Sequence, residues 1–425
     1  MAQVINTNVS SLTAQRNLNT TGGALQTSLQ RLSSGLRINS AKDDSAGLAI
    51  ATRMSAQIKG FNQAARNAND GISFSQTAEG ALSTVTDNMQ RIRQLAVQAA
   101  NATNNASDRA DLNKEMQLLI QEIDRVANQT EFNNSPILNG ALGDMFFQIG
   151  ANQGQTIAVT GADARASELG TSEAVGDPGL NQIQVNRGIK SVEDMTLTIE
   201  GIPDPVEIKV KLSDKDIRSV DDMVRVINDR ISQINSSQDA EYNEVEIKTV
   251  NEANLKASVR VLDNGNSTIV INGAFNTSAA LNPPDFEAVF KVAGGKISLN
   301  EPDEEVQTFD PDPDPVKAKQ VNLTELDITT RENAYKTIGA IDSALDVIRG
   351  FRAEFGAAQS RFEANISNVQ LSSENISASR SRIQDTDFAA ETAELTRVQI
   401  LQQSGVSVLA QANAAPQNVL SLLQQ

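Results

Sequence analysis

The stretch Leu82-Ser-Thr-Val-Thr-Asp-Asn-Met-Gln-Arg-Ile-Arg-Gln-Leu-Ala-Val-Gln-Ala-Ala100 decides the fold. Its apolar residues Leu82, Val85, Met89, Ile92, Ala96 and Ala99 alternate at spacings of three and four, which keeps one stripe of a helix turned toward a partner helix. Leu112, Met116, Leu119, Ile123 and Val126 repeat the pattern. Far along the chain, Ile338, Ile341, Leu345, Ile348, Phe355, Phe362, Ile366, Val369 and Ile376 share two heptad phases, broken at Arg352, Gln359 and Ser373. Three such seams at the two ends of one chain favour a joint bundle over unrelated amphipathic helices on separate cores.

Proline marks where the bundle pattern stops. Nine of the 11 prolines lie between Pro178 and Pro315, leaving only Pro136 and Pro416 outside. Proline lacks the N–H and clashes with the preceding helical turn, so the flanks are free to form long helices. Charge divides the chain in the same place: residues 178–325 hold 15 basic and 26 acidic side chains, most of the net −17. Within this insert Thr196–Ile199 and Glu207–Leu212 alternate as strands, and Ser219 caps a helix from about Val220 to Gln233. Glu244–Val250, Ala257–Leu262 and Ser267–Ile271 read as further strands, the last two joined through Asp263-Asn-Gly-Asn266. Asp310-Pro-Asp-Pro-Asp-Pro315 closes an extended acidic linker that starts at Glu301. Before the insert, in the glycine-rich stretch Gly140–Gly176, Met145–Ile149 and Thr156–Val159 pair as a β-hairpin. The fold class is mainly α: a long coiled-coil helical bundle formed by both chain ends, with a β-hairpin region and an α+β central insert.

Composition narrows the chemistry. The 425 residues include no Cys, no His and no Trp. Thiol catalysis, disulfides, Cys-ligated metals and imidazole-based triads are excluded, and no cofactor is expected. The acidic balance argues against nucleic acid as a partner. No run approaches a membrane span, so membrane insertion is not expected either. Met1–Ser10 has no basic region followed by an apolar run, so it does not read as a cleavable signal. Asp310, Asp312 and Asp314 mimic the start of a calcium loop, but Pro315 and Val321 stand where the loop needs Gly and Glu. Adjacent carboxylates such as Asp221 and Asp222 suit a helix N-terminus better than a catalytic pair, and the chain is not expected to be an enzyme.

The extreme ends carry a different message. The first 42 residues contain Arg16, Arg31, Arg37 and Lys42 and no acid; the last 42 contain Asp385, Asp387, Glu391 and Glu394 against Arg397 alone. Opposite signs favour pairing of the two ends. Apolar residues matter more: Leu18, Leu25, Leu29, Leu32 and Leu36 form one stripe of the N-terminal helix, and Ile5, Val9 and Leu12 a second one. Leu395, Leu401, Val408 and Leu409 supply the other end. One partner helix cannot cover two faces, so burying them requires neighbouring molecules, and the termini are expected to order on assembly.

These residues carry a family likeness. Arg31-Leu-Ser-Ser-Gly-Leu-Arg-Ile-Asn39 followed by Asp43-Asp-Ser-Ala-Gly-Leu-Ala-Ile50 resembles the N-terminal signature of bacterial flagellins. Ser381-Arg-Ile-Gln-Asp385, Gln399-Ile-Leu-Gln-Gln403, Val408-Leu-Ala-Gln-Ala-Asn413 and Pro416-Gln-Asn-Val-Leu-Ser-Leu-Leu423 resemble the C-terminal one. The resemblance covers roughly 1–175 and 330–425 and leaves the insert uncovered. It implies a subunit of the helical bacterial flagellar filament that serves motility. Residues 1–43 and 384–425 would form the inner tube, 44–177 and 330–383 the outer helices with the hairpin region, and 178–329 a surface-exposed insert. Polymerisation would then rest on Ile5, Val9, Leu12, Leu29, Leu32, Leu36, Leu395, Leu401, Val408 and Leu409.

The resemblance further implies secretion by flagellar type III export to the cell exterior. Its partners would be many copies of itself, an export chaperone, a cap protein and hook–filament junction proteins. It places a Toll-like receptor epitope at Arg91, Leu95 and Glu115, with Gln94 where some relatives have Glu. Filaments of the family switch form, a role assigned here to the 140–160 hairpin region. A junction protein is the nearest rival reading, and an adhesion module acting through the insert is a third.

Overall fold

A computed structural model describes residues 8–176, 179–199, 205–213, 215, 217–236, 242–274, 290–300, 305, 306, 308, 309 and 316–423. The acidic stretch Asp310–Pro315 and Ile5 lie outside the described residues. The helices run α1 Val9–Ser34, α2 Ser45–Ala100, α3 Ala106–Gln129, α4 Gln182–Arg187, α5 Val220–Asn235, α6 Glu244–Ala253, α7 Arg331–Gln384 and α8 Phe388–Leu423. Before the insert lie the strands β1 Glu131–Phe132, β2 Ser135–Pro136, β3 Met145–Gln148, β4 Thr156–Val159 and β5 Gly170–Val175. The insert adds β6 Ile189–Val192, β7 Met195–Ile199, β8 Val206–Val210, β9 Lys256–Val261, β10 Ser267–Gly273, β11 Phe290–Gly294, β12 Ile297–Leu299 and β13 Glu305–Val306. β14 Val316–Lys317 and β15 Lys319–Asn322 lead out of it. The chain is mainly α, with helices at both ends and a strand-rich centre.

Two compact units divide the chain: Met1–Asp70, Gln148–Ile157 and Phe362–Gln425 in the first, Gly71–Phe147 and Ala158–Arg361 in the second. The second holds the α2 and α3 seams and the α7 seam as far as Phe355. Leu82, Val85, Met89, Ile92, Ala96 and Ala99 are all fully buried, as are Met116 and Ile123 of α3 and Ile341, Ile348 and Phe355 of α7. Phe74 anchors this core, with the rings of Phe132, Phe147 and Phe355 centred 5.6, 6.0 and 6.2 Å away. Ion pairs Arg93–Asp342 at 2.6 Å and Arg352–Glu79 at 3.5 Å tie α2 to α7 along the solvent edge of the seam.

The insert joins this unit through two antiparallel neighbours. Incoming β5 pairs with outgoing β15 in a sheet ordered β15-β5-β10-β9. Glu173 of β5 and Arg260 of β9 form a buried ion pair, and Lys336 of α7 lies 3.7 Å from the same carboxylate. Such a group is tolerated only because each charge has its partner. A second sheet, β14-β11-β7-β8, alternates buried and exposed residues along β8 in the period of a half-buried strand. Met223, Ile227, Ile231 and Ile234 of α5 enter the same apolar core as Leu197 and Ile208. Ser219 caps that helix as its sequence suggests, accepting from the Asp222 amide at 3.2 Å.

Two expectations fail. Glu244–Val250 belongs to helix α6 and not to a strand. Asn243 accepts the amides of Val245 and Glu246 at 3.0 Å, and Glu246 returns a bond to the Asn243 amide at 2.7 Å, so a capping box starts a helix. Val250 and Ala253 are buried while Val245 is exposed, a helical phase. Likewise Leu36 does not continue the leucine stripe of α1. Gly35 adopts φ 72 and ends the helix at Ser34. The left-handed conformation, open to glycine at little cost, turns Leu36 out of helical register.

Candidate assembly surface

α1 and α8 lie antiparallel along one another. At one end Asn8 Nδ2 donates to Ala412 O and Ser11 Oγ to Asn413 Oδ1, both at 2.7 Å. At the other, Arg31 stands 3.7 Å from Glu391. Ser11, Ala14 and Ser28 from α1 and Glu391 and Val398 from α8 are buried. Most of these are small, which lets the two helices approach closely. Gly405 takes part: a Cβ there would sit 3.4 Å from Leu18 Cγ.

The stop of α1 coincides with the break between α7 and α8. Leu36 bridges Asp385, Arg37 N donates to Gln384 O at 2.7 Å, and Thr386 N donates to Gly35 O at 3.0 Å. The Arg37 guanidinium adds a bond to Ile383 O. Asp387 then starts α8 by accepting the amides of Ala389 and Ala390 at 2.9 and 3.2 Å. Both chain ends are thereby clamped at one level.

Pairing uses one side of each helix and leaves the other apolar side uncovered. Val9, Leu12, Leu29, Leu401 and Val408 are 46–66% exposed. Leu32, Leu36, Leu395 and Leu409 are half-buried at the pair's edges. Ile400 and Val406, which the sequence reading did not single out, are exposed beside them. Their signal was available: α8 is apolar around much of its circumference, the mark of a helix that needs neighbours on several sides.

Of the three residues on the α2–α3 face, the structure brings two together at the surface. Arg91 and Glu115 form an ion pair at 2.7 Å with both side chains about half exposed (50% and 45%). Arg91 also reaches Gln94 Oε1 at 3.4 Å. Leu95 is 1% exposed and belongs to the buried core, not to the surface that carries the ion pair. Among the described residues, no three His, Cys, Asp or Glu side chains gather as a metal site, and no helix is long and apolar enough to cross a membrane.

A chain whose two ends pair with each other yet leave wide apolar faces open belongs to the class of self-assembling helical subunits. Comparison with known proteins gives the family. The profile of the bacterial flagellin N-terminal helical region matches residues 5–142, and that of the C-terminal helical region matches residues 338–423. Polar flagellin C of Vibrio parahaemolyticus is 36% identical over 438 residues, covering 100% of both chains. Flagellin A of Vibrio cholerae is 37% identical over 426 residues and 99% of each chain. B-type flagellin of Pseudomonas aeruginosa is 35% identical over 493 residues, again covering 100% of both. The solved structure of FliC from Burkholderia pseudomallei aligns with 68% of this chain and 99% of its own, at 24% identity and TM-score 0.35. The chain belongs to the bacterial flagellin family and is a structural subunit of the flagellar filament.

Proposed function

We propose that the uncovered faces of the α1–α8 pair are the polymerisation surface, taken up by neighbouring copies in a helical homopolymer. The observation that carries this is the set Val9, Leu12, Leu29, Leu401 and Val408, left exposed after α1 and α8 have paired. Fully burying one such side chain is worth about 1.5–3 kcal/mol, so water-facing rows of them favour association. Leu32, Leu36, Leu395 and Leu409 frame these rows, and Ile5 extends the set toward the N-terminus. Contacts between unlike faces that do not close generate a filament.

On this reading the terminal helices gain order as copies assemble, and the 140–160 hairpin region sets the filament's form. Circular dichroism before and after assembly tests the first point; unchanged helix content would remove it. Export by the flagellar type III route, with a chaperone on the C-terminal helices, a cap protein at the growing tip and hook–filament junction proteins as further partners, completes the assembly scheme. The assembled filament is extracellular.

Recognition of the unassembled subunit by a host Toll-like receptor would use the Arg91–Glu115 pair, with Leu95 supporting that surface from within. Monomeric Arg91→Ala should lose receptor activation in reporter cells. Activation equal to that of the parent chain would exclude this site.

A further inference from the structure

We propose that Asn264 is a site of spontaneous covalent modification, converting to aspartate and isoaspartate through a cyclic imide. Three Asn-Gly pairs occur in the described residues, at Asn139-Gly140, Asn264-Gly265 and Asn272-Gly273. All share the unhindered glycine amide that attacks the Asn side chain. Their surroundings differ.

Asn264 sits in the turn between β9 and β10, exposed together with Asp263 and Gly265. Gly265 has φ 84, and nothing lies within 4 Å of where a Cβ would stand, so no neighbouring group crowds the glycine. The Asn266 amide donates to Asn264 Oδ1 at 2.8 Å. That bond polarises the side-chain carbonyl and stabilises the negative charge that develops on its oxygen as the ring closes. It also leaves the Nδ2 group free to depart. One bond opposes the reaction: Gly265 N donates to Leu262 O at 2.9 Å. Exposed turn bonds open at low cost, so this slows the step without preventing it.

The other two pairs are protected. Asn272 is 7% exposed within β10, paired on both sides. Asn139 shares the side-chain bond, its Oδ1 accepting from the Ala141 amide at 3.1 Å, but it is half-buried, Gly140 N donates to Ala162 O at 3.4 Å, and the Asp163 carboxylate fills the space at the Gly140 Cα. A carboxylate packed against that Cα hinders the rotation that would bring the Gly140 nitrogen onto the Asn139 side chain.

The chemistry balances without a further reagent. Gly265 N forms a bond to Asn264 Cγ and gives up its proton as the Cγ–Nδ2 bond breaks and ammonia leaves. Water then opens the imide at either carbonyl, giving aspartate or isoaspartate. The consequence reaches α7. Asp263 accepts from the Glu332 amide at 3.2 Å, and Glu332 accepts from the Asp263 amide at 3.2 Å. An isoaspartate lengthens the backbone of the turn and displaces this reciprocal cap, and either product adds a negative charge beside it.

Incubating the intact chain at mildly alkaline pH, with peptide mapping by mass spectrometry and an isoaspartyl-carboxyl assay, tests the proposal. The peptide carrying Asn264 should exchange its amide for a hydroxyl ahead of those carrying Asn139 and Asn272, with isoaspartate present. The product should be lost in Asn264→Gln, which leaves the turn glycine in place. No conversion at 264, conversion at 139 or 272 first, or aspartate without isoaspartate would each overturn it.

Discussion

Phe74 shows how few side chains fix the bundle. The chain has only 13 Phe and no Trp, yet three further Phe rings meet at this one. Phe74→Ala removes the shared ring from all three contacts and should cost about 3–5 kcal/mol in denaturant unfolding. Asp327 illustrates a polar counterpart at the start of α7. Burial pushes its carboxyl up, but the hydroxyl and amide of Thr329 and the side-chain amide of Asn333 donate to it, with Lys336 nearby, and the net effect holds it below the ordinary carboxylate range. A group whose folded pKa is depressed stabilises above its unfolded value, and that stability is lost as pH falls through the folded pKa. Asp327→Asn should therefore be less stable than the parent chain at neutral pH, and the gap should narrow in acid; a gap constant with pH would contradict this assignment. At this scale the sequence was readable where spacing alone decides. Every residue of the Leu82–Ala99 seam is buried, but the burial of Leu95, one step off that seam, needed the neighbouring helices to be in place.

At the scale of elements, glycine placement sets two decisive geometries. Gly35→Ala forces a side chain into the left-handed conformation and should cost about 1–2 kcal/mol in thermal unfolding. A Cβ on Gly60 would stand 2.8 Å from Ala151 Cβ at the tip of the β3–β4 hairpin. Gly60→Ala should therefore lift the hairpin tip, read as faster hydrogen exchange at Ile149, whose amide bonds Gln155 O at 2.9 Å. Unchanged protection there would show that the tip adapts without moving. The hairpin was legible from two apolar runs around a glycine-bounded turn, and the long helices from their heptads. α6 is hidden from a local reading because Val245 and Ile247 satisfy an alternating pattern, which the capping pair Asn243 and Glu246 outweighs. The end of α1 is hidden in the same way, because Leu29, Leu32 and Leu36 keep helical spacing straight through a glycine that stops the helix.

For the whole molecule, the lack of Cys and His suits a part that works by packing. Most of the acidity lies on the insert, where like charges oppose side-by-side association, while the termini carry opposite signs and pair. Family membership was legible from motifs at the two ends, whereas the sheets of the insert depend on long-range pairings such as β5 with β10 and β15 that no local pattern fixes. On the proposed reading, the paired terminal helices drive polymerisation through their uncovered apolar faces. Its most direct test is seeded regrowth after heat dissociation, followed by electron microscopy, for the intact chain and for Leu12→Lys combined with Leu401→Lys. Both substituted positions are exposed in the single chain, so the variant should fold as the parent does. Long filaments are expected from the intact chain and none from the folded variant; filaments of equal length from both would rule out these faces as the polymerisation surface.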